Sequence, residues 1–268
     1  MNNTFGFIGT GNMGGALARA AAKAMAAENI LLSDSYAPVA EKLAQELGCK
    51  AVSVDTVAAT AGFVWLGVKP QVMAGMLSGI APTLAARKDS FVLVSMAAGV
   101  SISDIRRMAG GDYPVIRIMP NIPVSVGGGV ILYDATENVP QEAVDTFCKA
   151  MEFAGLVDRL PEKLIDAGSA LSGCGPAFAC LFIEALADGA VACGLPRAQA
   201  VSYAAQTLAG TAKMLLESGM HPGSLKDAVC SPGGSTIAGV GALEQGGFRA
   251  SAMEAVTSAY QRTLELGK

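Results

Sequence analysis

The run Phe5-Gly6-Phe7-Ile8-Gly9-Thr10-Gly11-Asn12-Met13-Gly14 constrains this chain more than any other segment. It sets G-x-G-x-x-G at Gly9, Gly11 and Gly14, after an apolar run (4–8) that reads as a strand and before an Ala-rich helical pattern (13–27). Each glycine answers a different demand. The first makes a tight turn, the second lets backbone approach a pyrophosphate, and the third lets helix pack closely on strand. The anion then rests on the free N–H groups of the helix start. With 32 glycines in 268 residues, the motif alone is weak; its strand-to-helix context is what makes it a dinucleotide loop. Thr10, Asn12 and Met13 fall within it.

The segments that follow extend this reading. Strands are expected at 30–33, 50–52, 63–68, 91–95 and 115–119, with helices at 38–47, 71–81 and 103–108 between them. Such alternation predicts parallel strands, and fully apolar runs such as 63–68 predict strands covered on both faces. Asp34 lies 20 residues after Gly14 at the end of the second strand, where an acid commonly meets the adenosine ribose. That favours NADH by charge, whereas Ser33 and Ser35 suit a 2′-phosphate; a turn or cap role for Asp34 competes evenly. Val68-Lys69-Pro70 and Ala97-Ala98-Gly99 follow later strands, and ligands of open α/β sheets lie outside such carboxyl ends. The competing reading of Lys69 is a solvated loop lysine.

After about residue 164 the pattern becomes helical, at 178–192, 197–218, 237–244 and 249–266, punctuated by Gly and Pro. The expected architecture is an α/β Rossmann-type domain with a mostly parallel doubly wound sheet (1–164), followed by an all-α domain (165–268). The apolar stretch 170–195 is interrupted by Pro176, Glu184 and Asp188 and reads as a buried helix rather than a membrane span. A net charge of −4 leaves no basic footprint for nucleic acid. The six cysteines form no C-x-x-C and His221 is the sole histidine, so no metal site is expected, and the location expected is cytoplasmic. His221 reads as structural.

In the helical half, Ser231-Pro232-Gly233-Gly234-Ser235-Thr236 precedes an apolar run from Ile237. A Gly-Gly turn opening a helix can present converging N–H groups to a carboxylate. A helix-start turn capped by Ser or Thr is the competing reading.

Taken together, FIGTGNMGGA at 7–16, VKPQ at 68–71, SMAAGVS at 95–101, RIMPNIP at 117–123, LSGCGPAF at 171–178 and HPGSLKDAVCSPGGSTIAGVGALEQGGFR at 221–249 resemble the pyrroline-5-carboxylate reductases, in the same order over nearly the whole chain. The last string is the most specific. The resemblance implies reduction of 1-pyrroline-5-carboxylate to L-proline, the last step of proline synthesis, with NADPH or NADH as cofactor. It implies a helical domain that forms a homodimer, often the unit of a decamer. It implies a substrate site between nicotinamide and the SPGG-x-T loop, with Ser231, Gly233, Gly234, Ser235, Thr236 and Asn121 binding substrate and Thr236 catalytic. Ile122, Cys174, Phe178 and Ser235 depart from the commoner residues of that family. A β-hydroxyacid-type dehydrogenase of the same architecture is one alternative. It would need a Lys shortly after Gly173-Cys174-Gly175, where this chain has none. A non-enzymatic NAD(P)-binding regulator is another, disfavoured by the intact SPGGST segment.

Overall fold

A computed structural model describes residues 2–266. Contacts divide the chain into two units, one running to Gly173 and including the chain from Tyr260 onward, the other Cys174–Ala259.

The first unit begins with β1 (Phe5–Ile8), α1 (Asn12–Ala24), β2 (Ile30–Ser33), α2 (Ala37–Leu47), β3 (Lys50–Ala51) and α3 (Val54–Thr60). It continues with β4 (Phe63–Leu66), α4 (Pro70–Ala86), β5 (Val92–Ser95), α5 (Ile102–Ala109) and β6 (Val115–Pro120). Then come β7 (Gly129–Ala135), α6 (Gln141–Ala150), β8 (Gly155–Arg159) and α7 (Glu162–Ser172). One sheet of eight strands has the order β3-β2-β1-β4-β5-β6-β7-β8. The central strands are apolar throughout because both faces are covered. Phe5, Phe7, Phe63 and Trp65 enter one core with α1 and α6, while Ile8, Val64 and Leu66 enter another with α3, α4 and α5.

The mostly parallel sheet is as expected, with parallel pairing from β3 through β6; β7 and β8 are not among the expected strands, and β7 pairs parallel with β8 but antiparallel with β6. The cause is connection length. Residues 121–128 are too few for a crossover, which takes a dozen or more. They turn instead through a short 3-10 segment, Ile122–Val126. α4 also runs past the expected end at 81 and through Pro82, because Met73, Leu77, Ile80 and Leu84 form one buried stripe.

The expected boundary at 164/165 falls inside α7. Ile165 is fully buried, and Asp166 reaches Arg117 on β6, so contacts keep α7 with the sheet as far as Gly173. The second unit is helical: α8 (Gly175–Ala192), α9 (Arg197–Ser218), α10 (Pro222–Val229), α11 (Ser235–Gln245) and most of α12 (Phe248–Leu266). The expectation that 170–195 is a buried helix needs correction. Ala187 is the one buried residue of α8, and Leu181 and Leu186 are exposed.

Candidate active site

The Gly-rich loop has the geometry its residue types demand. Gly9 has φ +93°, and a Cβ there would lie 2.6 Å from the Gly67 carbonyl oxygen. A Cβ on Gly14 would collide with the Gly9 carbonyl, so α1 packs against its own loop only with glycine. Gly11 is different, since a Cβ there meets nothing within 4 Å. It is the N-cap of α1 and supplies no side-chain cap, so the first amides of the helix stay available. This combination of a close-packed turn, an open second glycine and an uncapped helix start fits a dinucleotide pyrophosphate.

Beside the loop lies a cavity of about 1130 Å³, lined by Gly9, Gly11, Ser33, Asp34, Ser35, Val68 and Lys69 among others. The carboxyl ends of β1, β2 and β4 thus bring seven of the expected cofactor residues together. Thr10 is buried, and its backbone N–H donates to Asp34 Oδ2 at 2.8 Å. Tyr36 N–H donates to Asp34 Oδ1 at 3.0 Å. Asp34 therefore clasps the Gly-rich loop to the end of β2 and also lines the cavity. Asn12 and Met13 open α1, and Pro70 opens α4; none of the three lines the cavity. Ala97, Ala98 and Gly99 follow β5, one strand beyond β4, and also lie off its lining. Sequence reasoning missed Glu41, Ser53, Gln71 and Met76 in the lining. A helix start after each strand end was the signal available, since α2, α3 and α4 begin there.

Asn121 sits in the first unit with its amide committed on both sides. Nδ2 donates to the Ser172 carbonyl at 2.8 Å, and Oδ1 accepts from Val130 N–H at 2.8 Å. The residue is 7% exposed, so it ties the end of α7 to the β6–β7 turn.

The SPGGST segment belongs to the helical unit. Gly233 takes φ +69°, and the Gly234 N–H donates to the Ser231 carbonyl at 3.0 Å. Gly234 is the N-cap of α11, and no side chain caps that helix. Ser235 and Thr236 are exposed in its first turn, so the α11 amides and the Thr236 hydroxyl remain open to a ligand. The Ser/Thr-capped alternative does not describe this turn. His221 is the structural residue expected: it is the N-cap of α10, its Nδ1 accepting from Gly223 N–H at 3.1 Å. No cluster of metal-ligating side chains occurs among the described residues.

Comparison with known proteins bears on both units. Residues 162–266 match the family model for pyrroline-5-carboxylate reductase dimerisation, and residues 4–99 match one described as NADP oxidoreductase, coenzyme F420-dependent. A pyrroline-5-carboxylate reductase of Methanosarcina acetivorans is 41% identical over 271 residues, covering 100% of this chain and 99% of that protein. The structure of a pyrroline-5-carboxylate reductase from Coxiella burnetii superposes with TM-score 0.93 at 30% identity, covering all of both chains. That of Plasmodium falciparum pyrroline carboxylate reductase with NADP bound gives 0.84 at 30% identity, over 99% of this chain and 98% of that one. Residues Glu162–Ala192 are long and apolar enough, by length and composition, to cross a membrane. The dimerisation match spans the same residues and gives that apolar surface another cover, a second copy of the chain.

Proposed function

The chain belongs to the pyrroline-5-carboxylate reductase family, and from that premise we propose how its residues divide the work of the reaction. It is an NAD(P)H-dependent oxidoreductase that reduces 1-pyrroline-5-carboxylate to L-proline in proline biosynthesis, and its helical part is a homodimerisation domain. The chemistry asks little of the protein. When bound, NAD(P)H supplies the hydride to the imine carbon, and the ring nitrogen ends as an amine after taking a proton.

This reading assigns the dinucleotide to the first unit. Gly9, Gly11 and Gly14 with the α1 amides hold pyrophosphate, and Ser33, Asp34 and Ser35 face the adenosine ribose. Thr10 orders the loop from beneath. Asn12, Met13, Val68, Lys69, Pro70 and Ala97–Gly99 continue the cofactor's path along the strand ends. The substrate carboxylate falls to the N–H groups at the start of α11, after Ser231, Gly233 and Gly234. The Thr236 hydroxyl holds the ring nitrogen. The uncapped α11 turn carries this assignment, because a helix start whose amides have no internal partner favours an anion. Asn121 supports the site by position rather than by contact, since its amide is already spent within the first unit. A cytoplasmic location and assembly of dimers into a decamer complete the reading, with six free cysteines in keeping with a reducing compartment.

Turnover of 1-pyrroline-5-carboxylate, followed by loss of NAD(P)H absorbance with proline formed in equal amount, tests the function. Dinucleotide binding without turnover would instead favour a regulator, and oxidation of β-hydroxy acids would favour the dehydrogenase alternative.

A further inference from the structure

Beyond the end of β2, the large cavity is lined by two carboxylates, Asp34 and Glu41, and by the hydroxyl residues Ser33, Ser35 and Ser53. Lys69 is the one cation among the lining residues. It follows β4, and β1 lies between β4 and β2, so two strand spacings separate the strand ends, roughly 10 Å. The nearer lysine, Lys42, does not serve this cavity. Consecutive helix positions diverge by about 100°. Lys42 accordingly lies on another face of α2, with Thr10, Arg19 and Glu46, and Glu41 takes the cavity side. Glu41 is exposed and has no hydrogen-bond or salt-bridge partner among the described residues. Asp34 is fixed in place by the Thr10 and Tyr36 amides.

We propose that this chain prefers NADH to NADPH, and that Glu41 sets the preference together with Asp34. The proposal rests on the reading of this cavity as the adenosine end of the dinucleotide site. A ribose 2′-hydroxyl donates to a carboxylate, whereas a 2′-phosphate brings a second anion against two carboxylates on the β2 and α2 side, with the lining's one cation, Lys69, following the more distant strand β4. The Plasmodium falciparum relative is described with NADP bound, so the preference belongs to this chain's own side chains. Glu41 is the cleaner probe of the pair. Altering Asp34 also removes the acceptor for two loop amides, while Glu41 is an exposed helix residue whose replacement leaves the fold intact.

Calorimetric titration of the full-length protein with NADH and with NADPH decides the matter without turnover. NADH is expected to bind at least about tenfold more tightly, a difference of about 1.4 kcal/mol. Glu41→Lys should shift the ratio toward NADPH by about tenfold and Glu41→Gln by less, while Lys42→Gln should leave it in place. Equal or tighter NADPH binding by the unmodified protein overturns the proposal, as does an unmoved ratio in Glu41→Lys. Binding of neither dinucleotide overturns the cavity reading and the proposal with it.

Discussion

Gly11 and Gly14 stand three residues apart and make opposite demands. Alanine at Gly14 drives a methyl into the Gly9 carbonyl, whereas alanine at Gly11 projects into open space. Gly14→Ala should therefore lower the melting temperature, while Gly11→Ala should melt normally and lose dinucleotide affinity. Thermal melts paired with NADH titration separate the two. Thr236 admits a similar division. Its hydroxyl caps nothing in α11, so Thr236→Ala should spare stability and cut kcat/KM by about 10–100-fold, the scale of one or two active-site hydrogen bonds. Thr236→Ser should keep more activity, and a lowered melting point with normal kcat/KM would return Thr236 to a structural role. Among the cysteines, burial pushes the Cys49 and Cys148 thiols up, with a Tyr133 hydrogen bond pulling Cys148 partly back. Both should resist alkylation near neutral pH, since the thiolate is the reactive form; mass spectrometry of the folded protein reads this directly.

At the scale of elements, α7 is held to the sheet by a small apolar cluster of Ile165 with Met119 and Leu132, and by charge. Arg117 on β6 is 4% exposed, and its guanidinium donates to Glu162 at 3.1 Å and Asp166 at 3.2 Å. Glu162 in turn accepts from the Ile102 amide at 2.8 Å, and its own N–H donates to Asp134 at 2.7 Å. This network joins α5, β6, β7 and α7. Removing one partner of a buried pair leaves the other uncompensated. Arg117→Ala should thus cost about 3 kcal/mol, whereas Arg117→Met, with Glu162 and Asp166 also made apolar, should recover much of the loss. Denaturant titration of the single and triple variants checks both. Neither the network nor the Asn121 bridge to Ser172 is legible in sequence, because the partners lie 28 and more positions apart. α3 escapes the sequence reading as well, being only seven residues long, although Ser53 caps it as Ser101 caps α5, each accepting from the backbone N–H three residues on.

At the scale of the molecule, the helical unit buries little on its own. Ala187, Ala200 and Ala204 are buried, yet Leu181, Met214, Leu216 and Met253 are more than half exposed. A surface of this kind needs a partner in water, and a second copy supplies it. Sedimentation should show a dimer at micromolar concentration. A charge placed on α8, as in Leu181→Arg, should shift the equilibrium toward monomer, and an unchanged dimer would move the interface off that face of α8.

The sequence by itself determined the dinucleotide loop, the alternation that builds a parallel sheet, the change to helices and the family of the chain. These rest on local demands: a glycine where a carbonyl approaches, an apolar run where both faces are covered, a three- and four-residue apolar spacing along a helix. Only the tertiary structure decided which way the strands and side chains finally point. β7 turns back because eight residues cannot make a crossover, and α7 stays with the sheet because Ile165 buries against Met119 and Leu132 and Arg117 reaches Asp166 from β6. Asp34 serves loop and cavity at once because two amides converge on it. Glu41 rather than Lys42 meets the cavity because adjacent helix positions face different neighbours, and those neighbours are set by packing across the fold.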